Sequence, residues 1–333
     1  MQPAVAADAA DQVARIERAD TQGRLQALAR SGAYMMAARQ TGMLRGELLR
    51  HEPLARHTSW RVGGPARQFY TPADLDDLAN FLAGLPVSEE LVWLGLGSNL
   101  LVRDGGIDGT VIATFGGMNL LSALDDRTLR AEAGVSCAKV ARFMTRLGLS
   151  GGEFLAGIPG SMGGALAMNA GAFGGETWQY VSAVETIDRR GERRTRTPDE
   201  YRIGYRHVQG PADEWFVAAH LRFVHDDSGT AQARIKALLE RRGATQPTNQ
   251  PSCGSVFRNP PGDHAARLIE ACGLKGQCIG KACISEKHAN FIVNTGGARA
   301  AEIEALICKV RDIVEREQGV RLETEVRIVG VAQ

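Results

Sequence analysis

The 333-residue chain has no apolar run approaching the ~18 residues that a membrane span needs. Its N-terminus has no apolar segment of the kind that opens a secretory signal, because Asp8, Asp11 and Arg15 interrupt it. A cytoplasmic location is the expectation. An excess of one charge is missing too, since 39 Lys and Arg stand against 38 Asp and Glu for a net +1. The two signs are interleaved, so there is no basic stripe for nucleic acid. The six cysteines form no C-x-x-C pair, and the spacing of Cys272, Cys278 and Cys283 matches no common zinc pattern. No H-E-x-x-H occurs among the seven histidines. We expect six free thiols and no metal. No internal repeat is visible.

Two standard phosphate motifs are incomplete. Gly160-Ser161-Met162-Gly163 lacks the lysine of a P-loop. Gly95-Leu96-Gly97-Ser98-Asn99-Leu100 starts like the dinucleotide fingerprint but has no third glycine. Leu100-Leu101-Val102 then reads as a strand where that fingerprint needs a helix. A Rossmann fold is not indicated.

What the chain does have is glycine in one place. Gly151 to Glu176 holds nine glycines in 26 residues, around a central Ile158-Pro159-Gly160. Glycine inside a helix or strand costs about 0.5–1 kcal/mol relative to alanine, so fold stability does not account for this density. A bare main chain can lie against a ligand with its N–H groups aimed at it. Such amides suit phosphate oxygens, above all where a helix begins, and 161–168 reads as the start of one. The stretch points to a large anionic cofactor.

Hydrophobic content of 44% and charged content of 23% are those of a soluble globular protein, and the length suits two domains, or three small ones. Residues 1–50 are Ala- and Arg-rich, with a helical stretch at 13–28, and read as a partly helical or disordered extension; the fold should begin near Leu54. Helices are expected at 74–83, 136–147, 231–242, 263–272 (Asp263 as N-cap) and 300–318. Strands are expected at 91–94, 100–102, 181–188, 193–197, 201–206, 215–224, 291–293 and, alternating, 322–329. The polar 225–230 segment is the best candidate for a domain boundary. Three polar residues stand apart: Arg206 closing a strand, Ser255 in a proline-bracketed segment, and Glu325 on the polar face of the last strand. Taken singly, each fits a structural role, as surface arginine, turn serine and solvated carboxylate.

Together the motifs resemble those of the UDP-N-acetylenolpyruvoylglucosamine reductase family. They are Thr58-Ser-Trp-Arg-Val-Gly-Gly-Pro-Ala66, Leu94-Gly-Leu-Gly-Ser-Asn-Leu-Leu-Val102, Phe154-Leu-Ala-Gly-Ile-Pro-Gly160 and Met168-Asn-Ala-Gly171. In the second half come Gly204-Tyr-Arg206, Gln246-Pro247, Gly254-Ser-Val-Phe-Arg-Asn-Pro260, Ile284-Ser-Glu-Lys-His-Ala-Asn-Phe-Ile-Val-Asn294 and Glu325-Val-Arg-Ile328.

The resemblance implies an α+β fold. An FAD-binding domain of the vanillyl-alcohol-oxidase/PCMH type, in two subdomains, would span 51–225. A C-terminal α/β substrate-binding domain would span 226–320, and a last strand in 321–333 would return to the FAD side. The short Arg206–Trp215 connection resembles the family's shorter type, without an inserted tyrosine loop. FAD would be held by Arg61, Gly95, Leu96, Gly97, Ser98, Asn99, Ile158, Pro159, Gly160, Gly164, Asn169, Ala170 and Gly171. NADPH would be the co-substrate and UDP-N-acetylglucosamine enolpyruvate the substrate, contacted by Tyr205, Arg242, Asn259 and His288. Arg241 and Lys287 are further candidates for its diphosphate. By the same resemblance, FAD N5 gives hydride, Ser255 the proton, and Arg206 with a protonated Glu325 stabilises the enolate. No nucleic acid, membrane or obligate protein partner is implied. His207-Val208-Gln209 and Cys253 depart from the family's usual residues, and Cys253 reads as a packing variant. Two other readings are a flavin oxidase of the same cofactor fold and a non-catalytic sugar-nucleotide or flavin-binding regulator.

Overall fold

The computed structural model describes residues 44–333. The expected extension up to residue 43, with its helical stretch at 13–28, lies outside the described residues. The first subdomain contains β1 (Glu47–Pro53), β2 (Pro65–Thr71), α1 (Leu75–Ala83), β3 (Leu91–Leu94), β4 (Leu100–Val102) and β5 (Ile107–Ala113). Its sheet has the order β1-β2-β5-β3, with β5 parallel to both of its neighbours. A parallel strand between two others has both faces covered, which is why Val111, Ile112 and Ala113 are buried in succession. Asp74 caps α1 by accepting the Asp77 amide at 2.9 Å. The sheet starts at Glu47, ahead of the Leu54 expected from the sequence. β1 is an edge strand in which only Leu48 and Leu49 are adjacent apolar residues, so its pattern is weak.

The second subdomain runs through β6 (Leu121–Ala123), β7 (Thr128–Glu132), α2 (Cys137–Arg146), β8 (Leu149–Ser150), α3 (Met162–Met168), β9 (Gly171–Ala172) and β10 (Gly175–Glu176). It continues with β11 (Val181–Asp188), β12 (Arg193–Arg196), β13 (Arg202–Gly204), β14 (His207–Gln209), β15 (Glu214–Arg222) and β16 (Val224–His225). Its main sheet has the order β12-β11-β15-β7-β6. Val140, Ala141 and Met144 of α2 and Met162, Ala165 and Leu166 of α3 join one core with Val184, Ala219 and Leu221 of the sheet.

The remainder holds α4 (Ala231–Thr245), α5 (Ala265–Ala271), β17 (Cys278–Ile279), β18 (Ala282–Ile284), β19 (Ile292–Asn294), α6 (Ala300–Gln318) and β20 (Arg327–Val329). Ile303, Leu306, Ile307, Val310 and Val314 of α6 are buried, at the spacing that makes one helical face. Gly319 ends the helix in the left-handed conformation, at φ 68°. Its N-terminus is capped from far away in sequence: the Asp104 carboxylate accepts the amides of Ala300 and Ala301, each at 2.9 Å. Trp60, Val62 and Leu101 pack into this third core, and β20 pairs in parallel with β4.

Three local expectations are corrected. α5 starts at Ala265, because the Asp263 carboxylate accepts the neighbouring His264 amide at 2.7 Å and pairs with Arg267 instead of capping further on. Only Arg327–Val329 of the expected 322–329 strand lies in a ladder; Thr324 forms a single bridge with Phe257. The six thiols are not all free, since Cys278 and Cys283 form a disulfide. They are directly opposite in the β17–β18 hairpin, where non-hydrogen-bonded partners come closest. Cys137, Cys253, Cys272 and Cys308 are free.

Candidate active site

Arg206 sits at the tip of the β13–β14 hairpin, not at the end of a strand. Gly204 pairs with His207, so Tyr205 and Arg206 form the turn, with Arg206 at φ 53°. A left-handed arginine is uncommon and is kept only where its surroundings fix it. All three guanidinium nitrogens are engaged: Nε with Glu325 Oε1 at 3.0 Å, Nη1 with the Asn169 carbonyl at 3.3 Å and Nη2 with the Gly171 carbonyl at 2.9 Å. The Tyr205 ring lies 5.1 Å from the guanidinium carbon. Asn169 closes α3 at φ 45°. Its side-chain amide donates to Glu176 Oε2 at 2.8 Å and the Gly204 carbonyl at 3.1 Å, and its oxygen accepts the Trp178 amide at 3.1 Å. Asn169 therefore ties the glycine-rich stretch to the hairpin that carries Arg206.

Glu325 reaches Arg206 through a bulge. The Val256 carbonyl accepts two successive amides, Glu325 at 2.8 Å and Val326 at 3.4 Å. A bulge of this kind re-aims the side chain that it carries. Asn99 holds the other side, donating from Nδ2 to the Glu325 carbonyl at 3.0 Å and accepting the Arg327 amide at 3.1 Å. Burial raises the Glu325 carboxyl above its ordinary value, while the charge and hydrogen bond of Arg206, and the charge of Arg258, pull it down. Ser255 immediately precedes Val256, is half-buried and follows Gly254 at φ 72°. Asn290 fixes this segment. Its side chain accepts the Phe257 amide at 2.9 Å and donates to the Phe257 carbonyl at 2.8 Å, and its own carbonyl accepts the Val256 amide at 2.9 Å.

The two glycine loops come together beside this centre. Gly97 is left-handed at φ 59°, and a Cβ on Gly160 would lie 3.3 Å from Ser98 Oγ. A Cβ on Gly95 would collide with the Ser161 hydroxyl. Gly95, Gly163 and Gly164 line a cleft of about 470 Å³ between the first two subdomains. Ser161 is buried at the start of α3, and its hydroxyl has no hydrogen-bond partner among the described residues. A buried orphan hydroxyl beside open glycines fits a phosphate-bearing cofactor. Leu96 is half-buried in the first loop; Ile158 and Ala170 are buried, and the Ala170 carbonyl accepts Thr177 Oγ1 at 2.7 Å.

A second cleft, of about 350 Å³, gathers Arg61, Pro159, Arg242, Gly254 and Phe291. Arg61 is left-handed, at φ 58°. Burial lowers the Arg242 guanidinium, whose hydrogen bond is to the uncharged Gln246 side chain at 3.2 Å. The structure does not bring Asn259 or His288 into the lining of either cleft. The Asn259 side chain accepts the Ala265 amide at 3.1 Å, and His288 sits edge-on to Phe291, with burial and then Lys275 lowering its pKa. Arg241 lies over Phe173, and the Lys287 ammonium donates to the Gly243 carbonyl. Sequence reasoning missed Ser161, Glu176 and Asn290. Ser161 alone carried a signal, a hydroxyl directly before a glycine-rich helix. Among the described residues no cluster of His, Cys, Asp or Glu is placed to hold a metal ion, and no helix is long and apolar enough to cross a membrane.

Two packed subdomains with a glycine-walled cleft between them, and a C-terminal part joined to them through the β20–β4 pairing, have the architecture of an FAD-binding protein. Residues 66–196 match the model of an FAD binding domain, and 246–329 match the C-terminal domain of UDP-N-acetylenolpyruvoylglucosamine reductase. The chain belongs to the UDP-N-acetylenolpyruvoylglucosamine reductase family. It is 63% identical over 297 residues to the enzyme of that name from Methylococcus capsulatus, which covers 89% of this chain and 98% of the relative. It is 60% identical over 288 residues to that of Legionella pneumophila (strain Corby), 86% of this chain and 94% of the relative. The crystal structure of the Thermus caldophilus reductase (MurB) superposes with a TM-score of 0.73 at 34% identity, covering 86% of this chain and 99% of that one.

Proposed function

We propose that this chain reduces the enolpyruvyl ether of UDP-N-acetylglucosamine to UDP-N-acetylmuramate with NADPH as electron donor, and that Arg206, Ser255 and Glu325 act on the substrate. FAD, when bound, would supply hydride for the terminal carbon of the enolpyruvyl group. Negative charge then builds on the neighbouring carbon and spreads into the carboxylate. A cation and a hydrogen-bond donor held against that carboxylate act where charge develops. Arg206 is the cation, kept in place by the Asn169 and Gly171 carbonyls. Glu325 must be protonated to donate, and the burial that raises its pKa favours that form. Ser255 gives its hydroxyl proton to the carbanion and recovers one from solvent. A hydroxyl is a weak acid, but a carbanion is base enough for the transfer when the two are held together.

The observation that most supports this reading is the meeting of Arg206 and Glu325, 119 residues apart, one residue from Ser255 along the Val256 backbone. The loops Gly95–Asn99 and Ile158–Gly160, with Gly164, Asn169–Gly171 and Arg61, are the proposed FAD contacts. They act largely through main-chain groups, since the Asn169 side chain is already used. Residues 226–320 are the proposed substrate domain. Arg242 has no carboxylate partner among the described residues, which suits the UDP diphosphate, with Tyr205 on the substrate side; Asn259 and His288 lie outside the lining of both clefts. The reaction belongs in the cytoplasm, where NADPH is available.

An anaerobic spectrum tests this function. Yellow protein should be bleached by NADPH and restored by UDP-N-acetylglucosamine enolpyruvate. Restoration by O2 alone would contradict the reductase reading in favour of an oxidase.

A further inference from the structure

α2 and α4 flank an open groove of about 1400 Å³. α2 buries Cys137, Val140, Ala141 and Met144 and leaves Lys139, Arg142 and Arg146 exposed, with no Asp or Glu in the helix to neutralise them. Their spacing of three and four residues sets the cations on one helical face, over about 10 Å of helix axis. Arg142 and Arg146 turn Nε back to the carbonyls of Ala138 and Arg142, at 3.1 and 3.4 Å. Arg146 also lies over the Phe143 ring, and the Lys139 ammonium has the Asn119 carbonyl at 3.5 Å. None of the three makes an ion pair among the described residues. Elsewhere arginines meet carboxylates, as Arg130 does Glu185, Arg196 Glu214 and Arg234 Glu153. With 38 Asp and Glu against 39 Lys and Arg, carboxylates are not scarce in the chain; they are missing from this face.

On the α4 wall Lys236 adds a fourth cation, with Glu240 at 3.9 Å as its exposed partner. Leu239 is 43% exposed on the same wall, and Ile235 below it joins the core. The start of α4 is held firmly: Arg234 donates to the buried Glu153 at 2.6 and 2.9 Å, and Asp226 accepts the Ala231 amide at 2.8 Å. The groove is therefore preformed, which lowers the entropy lost when a partner binds. Like charges at these spacings destabilise a helix, so the cationic rail is not there for the fold. It matches a helix with carboxylates at i, i+3 and i+7 and an apolar face beside them. A nucleic acid would call for aromatic side chains among the cations, and none lines the groove. A bilayer surface is flat, whereas these cations border a recess. We propose that the α2–α4 groove docks an acidic amphipathic helix of a partner protein, with Lys139, Arg142 and Arg146 binding its carboxylates and Leu239 its apolar face. No residue of the groove lines either cleft of the candidate active site, so docking here is independent of the proposed flavin chemistry.

The test uses the full chain and a fluorescent synthetic helix of about 20 residues, with Glu at i, i+3 and i+7 and Leu on the adjoining face. Fluorescence anisotropy should show saturable binding that weakens about tenfold as salt rises from about 50 to 500 mM. A peptide of the same composition, its charges moved off the helical spacing, should bind about tenfold more weakly or worse. Arg142→Glu combined with Arg146→Glu should weaken the first peptide by about tenfold or more, and Leu239→Ser by about threefold. These positions are exposed, so the variants should keep the wild-type unfolding midpoint. If the charge reversal does not fold, Arg142→Gln with Arg146→Gln takes its place, since glutamine keeps the helix propensity. No binding, equal binding of the two peptides, or binding that the charge change leaves untouched overturns the proposal. It is also overturned if the peptide fails to bind while the charge change abolishes adsorption to phosphatidylglycerol vesicles or dimerisation in sedimentation. The occupant would then be a membrane or a second copy of the chain.

Discussion

At Glu325 burial and Arg206 pull one proton in opposite directions, and burial acts more strongly. A carboxyl whose pKa is raised in the folded state binds its proton more tightly than in the unfolded chain. Its contribution to stability is therefore complete below the ordinary glutamate value and is lost as pH rises through the folded value. Glu325→Gln stays neutral throughout. Denaturant unfolding of both proteins should show wild type losing stability relative to Glu325→Gln as pH rises from about 4 to 8. A difference that is flat with pH would mean that the carboxyl is not raised. The residues of this centre were only partly legible in the sequence. Glycine density at 151–176 pointed to an anionic cofactor from composition alone, whereas Arg206, Ser255 and Glu325 emerged only through family motifs. Each of them taken singly looked like an ordinary polar residue, because nothing local in the chain records that they meet.

At the scale of elements, helices with one apolar face were readable almost to the residue: α6 spans Ala300–Gln318, as its periodicity and Gly319 predicted. Elements fixed by distant partners were not. The Glu325 bulge depends on the Val256 carbonyl, and the α6 cap on Asp104, whose sequence distance from Ala300 is 196. The alternation of 322–329 suggested a continuous strand because a bulge leaves no mark on hydrophobic periodicity. The Cys278–Cys283 pair was hidden in the same way, since β17 and β18 are too short to read as a hairpin. Among these distant supports, Asn290 makes the sharpest prediction. Asn290→Ala leaves both the N–H and the C=O of Phe257 without their buried partner, at about 1–3 kcal/mol for each group. Urea unfolding should show a loss of that order. Asn259→Ala, at an exposed position with a single bond to the Ala265 amide, should cost about 1 kcal/mol or less. Equal losses in the two variants would contradict the role given to Asn290.

For the whole molecule, the fold brings together three segments that the chain keeps far apart. The second subdomain supplies Arg206 on a hairpin tip, the C-terminal domain supplies Ser255, and the residues leading into β20 supply Glu325 as the chain returns to β4. Trp60 links these parts directly, its indole N–H donating to the Ile292 carbonyl at 2.7 Å. On the proposed assignment, the glycine loops and the Arg206–Glu325 pair serve one place, in which two half-reactions must take turns. The division of labour gives each half-reaction its own dependence on side chains. Under that assignment, flavin reduction by NADPH needs the cofactor cleft, and only the second half-reaction needs a proton from Ser255.

The most direct measurement is anaerobic stopped-flow of both half-reactions in Ser255→Ala. Flavin reduction by NADPH should keep its wild-type rate, and reoxidation by UDP-N-acetylglucosamine enolpyruvate should slow by about 100-fold or more, the scale of a lost general acid. Reoxidation at the wild-type rate would contradict the assignment of Ser255 as proton donor, and with it the account of why these three segments meet.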